Sequence, residues 1–384
     1  LGRSDHIGGT VGLSAFDDPR YVWHHDFVFA RESPISVRNL TRYQEVSQFL
    51  IVDPPQGTWC VSPGINPWTG VACASPGTFV PSGPRGNLRD STNEILINQT
   101  DLSVRFDTGG VAHTLVAGAV FSNETYHLDT GNVLRNPLGA TPNPTLPTMN
   151  ISNPNNVYTG PINFIRTAFT DSEVSNHAVY VFDRVELNDQ WEINGGVRVE
   201  HNEGSAVLGA VATPYPAPPA QPVVTLTGPF RNEADLLSYR LGVVYQPAEH
   251  LSFYAAFGNS ETPSQATVNG ACTAATCNVE PEVGRTYEIG AKWDTFDGRL
   301  SLTAAVFNNE RSSFRVASGD PGVPDQQLDG SSRVRGLALG ATGLLTEYWN
   351  VFANYTYLDS ELEQSVSDFV IGLGTVDFLA GDPL

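Results

Sequence analysis

The sequence predicts an all-β chain: a segment of an antiparallel, up-and-down transmembrane β-barrel, about twelve strands of a larger one. Three observations predict it. Twelve runs alternate between apolar and polar residues, the two-residue period of a half-buried strand. The connections between these runs are alternately short and long from one end of the chain to the other. No stretch approaches the roughly 18 apolar residues of a membrane-spanning helix, and the densest apolar run, LVAGAVF at 115–121, is far shorter.

The strands read in order as Tyr21–Phe29 and Ile35–Ile51, joined by RESP; Ile95–Asp107 and Val111–His127, joined by TGG; and Ala178–Leu187 and Trp191–His201, joined by Asn188-Asp189. Leu236–Gln246 and Leu251–Glu261 follow, joined by PAEH. Then come Arg285–Thr295 and Arg299–Phe314, joined by FDG, and Ser332–Thr342 and Tyr348–Asp359, joined by GLLTE. Between these pairs lie long connections at roughly 52–94, 128–177, 202–235, 262–284 and 315–331. Tight turns on one rim and long loops on the other mark an outer-membrane barrel, with short periplasmic turns and long extracellular loops. A soluble sandwich crosses in Greek keys and has no reason to keep that alternation.

The two faces of each strand agree. In RTYEIGAKWD, Tyr287, Ile289, Ala291 and Trp293 oppose Thr286, Glu288, Gly290, Lys292 and Asp294. In WEINGGVRVE, Trp191, Ile193, Val197 and Val199 oppose Glu192, Asn194, Arg198 and Glu200. Charges of both signs among glycines suit a hydrated lumen and not a dry core. Trp191, Tyr245, Trp293, Trp349 and Tyr357 sit where interfacial girdles belong. Several strands exceed the 9–11 residues needed to span, as in large plugged transporters of about 22 strands.

Composition narrows the function. A formal net charge of −20 over 384 residues argues against nucleic acid as a partner. Lys292 is the only lysine, so the cations are almost all arginine. Four cysteines fall in two local pairs, Cys60 with Cys73 and Cys272 with Cys277, each in a Gly/Pro/Thr-rich loop. Even, local pairing points to disulfides and an oxidising compartment; free thiols or half a metal site are the alternatives. The chain begins at Leu1 without an initiator Met and ends on FLAGDPL, which reads as an open loop. A piece of a longer protein is the expected reading.

Longer strings resemble one family. VEPEVGRTYEIGAKWDTFDGRLSLTAAVFNNERSS and LDGSSRVRGLALGATGLLTEYWNVFANYTYLDSEL are similar to consecutive strand pairs of TonB-dependent siderophore receptors. SNPNNVYTGPI and PSGPRGNLRDSTNEILINQTDLSVRFDTGGVAHTLVAGAVFS resemble the loop and strand text of catecholate-type members. The resemblance covers nearly the whole chain and is firmest from Ser238 to Glu361. It implies an outer-membrane receptor that takes up a ferric siderophore, energised by the TonB complex acting through an N-terminal plug. Residues 1–384 are then expected to be part of the barrel domain, with the plug domain and the terminal strands outside this chain. The expected partners are the ferric siderophore, the TonB complex and outer-membrane lipid. No resident cofactor or metal ligand is expected, because iron travels inside the chelate.

Such a receptor asks little chemistry of the barrel. It needs a vestibule that holds an anionic, aromatic chelate. Guanidinium groups pair with catecholate oxygens and stack on rings, and aromatic side chains add stacking. The loop candidates are Arg85 and Arg89 in GPRGNLRD, Phe164, Arg166 and Phe169 in GPINFIRTAFT, and Trp59 and Trp68 beside the first cysteine pair. Loop packing or loop–loop ion pairs are the alternative role for each. WHHD at 23–26 places two histidines on opposite strand faces, which does not suit one metal ion. Asp320, Asp325 and Asp329 do not have EF-hand spacing.

No G-x-S-x-G, H-E-x-x-H or P-loop occurs, so an enzyme is not expected. The rivals are receptors for cobalamin, a hydroxamate chelate or a glycan, then a passive porin or a barrel enzyme. A soluble propeller or lectin would show a repeat near 40–50 residues.

Overall fold

The computed structural model describes residues 16–29, 33–50, 57–81, 88–134, 136, 143–144, 146–155, 160–161, 163–212, 222–270, 272, 274, 277, 279–317 and 326–384. In chain order the strands are β1 (Phe16–Phe29), β2 (Ile35–Leu50), β3 (Gly57–Cys60), β4 (Thr78–Pro81), β5 (Leu88–Thr108), β6 (Val111–Leu134), β7 (Met149–Asn150) and β8 (Asn163–Asn188). They continue as β9 (Trp191–Val211), β10 (Val224–Ala248), β11 (Leu251–Thr262), β12 (Glu282–Thr295), β13 (Leu300–Ala317), β14 (Gln326–Thr346) and β15 (Trp349–Gln364). A short helix, α1 (Asp368–Gly372), follows, with Ser367 as its N-cap.

Twelve strands form one sheet in the order β1-β2-β5-β6-β8-β9-β10-β11-β12-β13-β14-β15, and every adjacent pair is antiparallel. These are the twelve expected strands. The three others, β3, β4 and β7, make a small separate sheet between the loops that precede β5 and β8. The tight connections between β5 and β6, β8 and β9, β10 and β11, and β12 and β13 fall where the sequence places them, whereas β14 runs on to Thr346, so that the turn before β15 is Glu347-Tyr348 and not GLLTE; part of RESP lies outside the described residues. Gly109 and Gly110 turn the chain between β5 and β6, both at positive φ. Phe296, Asp297 and Gly298 turn it between β12 and β13, again with positive φ. No helix among the described residues is long and apolar enough to cross a membrane.

The strands are longer than expected on the loop side. β8 starts at Asn163 where the alternation shows only from Ala178, and β9 runs to Val211 where it fades at His201. The ladder continues through TAFTDSEVSNH although the outward residues there are Asp171, Glu173, Ser175 and His177. The apolar period stops where the lipid stops, but the hydrogen bonding does not. The stretch around FLAGDPL is also more ordered than an open loop. It folds back so that Leu362 N–H donates to the Asp382 carbonyl and Gly381 N–H to that of Leu362.

Register puts the apolar residues in lateral rows. One row, apolar except for His113, which bonds Asp183 at 2.8 Å, runs Phe106, His113, Val185, Ile193, Val243, Ala255, Ile289, Val306, Leu337, Tyr357 across ten strands. This face is bare: Ile289 is 65% exposed and Val306 57%. Aromatic residues bound it on both sides. Trp191 stacks on Tyr245 at 4.4 Å near the tight turns. Tyr239, Phe257 and Tyr287 form a chain at 5.8 and 4.9 Å farther up. Trp293 and Tyr287 on β12 are six residues apart, or about 20 Å at 3.3–3.4 Å per residue. A wide apolar band between aromatic girdles meets lipid, not a second sheet.

The opposite, inner face carries glycines covered by aromatic rings of the next strand. A Cβ at Gly196 would lie 1.8 Å from the Phe182 ring, one at Gly118 2.4 Å from that of Tyr180, and one at Gly290 2.5 Å from that of Tyr254. Each ring therefore lies flat along the wall instead of filling the lumen.

Val306→Arg on the outer row is expected to destabilise the intact protein by about 2–4 kcal/mol, the cost of a cation near the bilayer midplane. Thr286→Arg on the inner face of β12 is expected to change stability by less than about 0.5 kcal/mol. Urea titration of folding into lipid vesicles measures both, and equal costs would refute the assignment of faces.

Candidate ligand-binding vestibule

At membrane level the inner wall is a set of satisfied polar groups. Gln99 Nε2 donates to the Tyr180 hydroxyl at 2.9 Å and to Asp101 at 3.1 Å, and the Tyr180 hydroxyl donates to Asp101. Arg198 pairs with Glu200 at 2.5 Å, and Asn176 Nδ2 donates to the same carboxylate at 2.6 Å. Arg240 lies over the Phe182 ring at 4.6 Å. The Tyr254 hydroxyl donates to Glu288 at 2.6 Å, with the Lys292 ammonium 5.9 Å from its ring. Near the tight turns Arg184 bonds Glu192 at 2.7 Å and Glu186 at 3.0 Å. Together with Trp191 and Gln246 these residues line a cleft of about 300 Å³. Charges cancel within the Arg198–Glu200 and Arg184–Glu192 pairs, whereas Arg240 and Lys292 lie over rings.

The candidates from the sequence separate by position. Arg89 lies on β5 on the inner face, alternating with the outward Asp90, and is exposed. Trp59 stacks on the buried Phe79 at 4.8 Å, beside the Cys60–Cys73 disulfide, and so helps hold the small sheet together. Trp68 stands out from that clipped turn at 76% exposure. Arg166 bonds Asp129 at 3.0 Å and lies 5.2 Å over Phe169. Phe169 shares the outward face of β8 with Val179 and Val181, and its ring covers Gly209. Phe164 meets Phe49 edge-on at 6.5 Å. Arg85 lies outside the described residues. Both cysteine pairs are disulfides, Cys60–Cys73 and Cys272–Cys277.

Among the described residues, His201, Glu203 and Glu233 offer ligand atoms within 4.8 Å of one another. They sit on the outer face of β9 and β10, above Val199 and Leu237, and not in the vestibule. The side chains of His24 and His25, and Asp320 and Asp325, lie outside the described residues. Asp329 accepts the Asp368 N–H at 2.8 Å at the start of α1.

Sequence reasoning missed His127, which lies on β6 beyond the apolar band. Its Nδ1 is 2.5 Å from Asp171, and Asp129 is 3.4 Å from its Nε2. The partner is 44 residues away along the chain, and no local pattern announces it. The hydrogen bond to Asp171 is the main cause holding the imidazole above its ordinary 6.5; burial opposes it, and the charges of Asp171 and Asp129 add to it.

The chain matches the family model described as TonB dependent receptor-like, beta-barrel, over residues 9–382. The chain belongs to that family. It is 28% identical over 342 residues to the catecholate siderophore receptor Fiu of Escherichia coli K12, covering 84% of this chain and 41% of that one. It is 33% identical over 202 residues to the probable TonB-dependent siderophore receptor PiuA of Acinetobacter baumannii, covering 51% of this chain and 25% of that one. The crystal structure of Fiu in its closed form superposes with a TM-score of 0.73 at 23% identity, over 94% of this chain and 49% of Fiu. The chain thus spans less than half the length of these curated relatives. Its fold is that of an outer-membrane receptor barrel, and its family consists of receptors.

A raised histidine pKa stabilises the fold below the unfolded value, and that contribution is lost as pH rises through the folded value. His127 should therefore titrate above 6.5, with stability falling as pH climbs past that point. Asp171→Asn should return the titration towards 6.5 and flatten the pH dependence. Histidine NMR and unfolding curves between about pH 5 and 8 read this; an unchanged titration in Asp171→Asn would exclude the pairing.

Proposed function

We propose that this chain is the ligand-collecting part of an outer-membrane receptor for energy-coupled uptake of a ferric siderophore, of catecholate type. The exposed guanidinium of Arg89 carries the reading. It stands on the inner face, on the loop side of the band, above a wall in which Arg198 and Arg184 are paired with carboxylates. An anionic chelate is drawn to that cation, which can pair with catecholate oxygens and stack on a ring. The exposed Trp68 offers a second stacking surface near the same mouth. Relatives named as catecholate receptors support the cargo class.

The reading assigns no catalytic residue and no resident cofactor; iron is cargo within the chelate. Coupling to TonB is through a plug domain that lies elsewhere in the whole protein, and the outer band contacts lipid. Cobalamin, hydroxamate chelates and glycans are the competing cargoes.

Intact receptor in detergent is titrated with a ferric catecholate chelate, a ferric hydroxamate chelate and iron-free catechol, following tryptophan fluorescence. Quenching by the ferric catecholate alone is expected, and Arg89→Ala should weaken it about tenfold, or about 1.4 kcal/mol. Silence towards both chelates would overturn the siderophore reading and leave the barrel standing.

A further inference from the structure

We propose that the described stretch Pro263–Gly270, anchored again at Cys277 by the Cys272–Cys277 disulfide, is a permanently seated inner lining of the vestibule. Its uncharged exposed edge at 266–270, and not the strand wall behind it, then meets cargo on this side of the barrel; the exposed Glu280 lies beyond that edge. The cargo half of this inference rests on the function proposed above; the structural half does not.

Segment 263–281 joins β11 to β12, which are neighbours in the sheet and need only a short link. Instead it crosses the inner faces of β10, β9 and β8 and reaches β6. Asn232 Nδ2 on β10 donates to the Cys277 carbonyl at 2.8 Å. Gln265 Nε2 donates to the Ser205 carbonyl on β9 at 3.1 Å. Ser172 Oγ on β8 donates to the Val268 carbonyl at 2.5 Å. Val268 closes an apolar cluster with Tyr126, Leu128 and Val174.

The anchors are buried to an extent rare in a loop: Gln265 is 0% exposed and Val268 1%. Gly204 makes room for the first of them, because a Cβ there would lie 2.8 Å from that of Gln265. The disulfide shortens the free length of the segment and lowers the entropy cost of seating it. A strap held at three strands and over an apolar cluster does not open by thermal fraying.

Its position sets what a solute meets. Behind the strap the wall carries an apolar patch of Tyr126, Leu128 and Val174 beside the polar anchors Ser172 and Asn232. Bare, that shelf would adsorb apolar and aromatic solutes of any charge. The strap covers it and presents Ala266, Thr267, Asn269 and Gly270. These groups offer hydrogen bonds and no charge, so they neither repel an anionic chelate nor retain apolar bystanders. Gln265 and Gly204 are positioning residues for that surface.

The test places a cysteine reporter, Val174→Cys, in the intact receptor and measures its rate of reaction with a polar maleimide, without cargo. Thr267→Cys is the exposed reference. Protection of the Val174→Cys site by about tenfold or more is expected, and is expected to be lost when residues 264–279 are replaced by a Gly-Ser linker. The linker variant, and separately Gly204→Leu, should also bind a naphthalene-sulfonate dye more strongly and show a smaller preference for ferric catecholate over the dye. Reaction at the reference rate in the otherwise native chain would overturn the proposal. So would protection that survives removal of the strap, and so would an unchanged dye preference in both variants. Because labelling needs no chelate, failure of the siderophore reading leaves this result independently readable.

Discussion

A backbone N–H or C=O left unpaired in hydrocarbon costs several kcal/mol, and the structure depends on that constraint. An unbroken antiparallel ladder from β1 to β15 satisfies these groups strand by strand. The ladder fixes the rest. Antiparallel neighbours allow tight turns, so one rim can be closed by pairs such as Gly109-Gly110. Pleating then sends alternate residues to lipid and to lumen, and a single register error would invert every face. The lateral row through Ile193, Val243, Ala255, Ile289 and Val306 records that no such error occurs in these strands.

Polar residues on the inner face answer to a different condition. They are hydrated, but they stand close together on a curved wall, and like charges there would repel. The sequence supplies opposite charges two residues apart or on adjacent strands: Arg198 with Glu200, Arg184 with Glu192, Arg311 Nε with Glu282 at 3.0 Å. Glycine beneath Phe182, Tyr180 and Tyr254 lets large rings lie along the wall, so the lumen keeps its width. Lumen composition that looks permissive in sequence is therefore ordered by cross-strand pairing.

Much of this was legible because lipid imposes a period. Tyr287, Ile289, Ala291 and Trp293 declare both a strand and its outward face, and FDG declares the turn that follows. Above the lipid both faces meet water, and the period disappears. TDSEVSNH reads as loop although Asp171 to His177 continue β8 without a break in register. The cysteine pairs were legible from local spacing. The strap was not, because Gln265 meets Ser205 across 60 residues and Ser172 meets Val268 across 96. Nor was the role of Phe169, whose outward direction is set by a parity counted down to Val179 through polar residues. Arg89 and Trp68 remain exposed, whereas Arg166 and Trp59 are engaged, and nothing in residue type distinguishes these outcomes.

On the function proposed above, specific capture follows from where pairing ends. At membrane height Arg198 and Arg184 are paired with carboxylates, and Arg240 and Lys292 lie over rings. On the loop side of the band the balance changes. Arg89 is exposed on the inner face, and the disulfide-clipped turn holds Trp68 outward. On that reading a ligand arriving from outside meets these exposed groups first and the partly paired wall second. The wall is constrained by its own ion pairs, while the mouth, held by local disulfides and strand extensions outside the lipid, is free to vary.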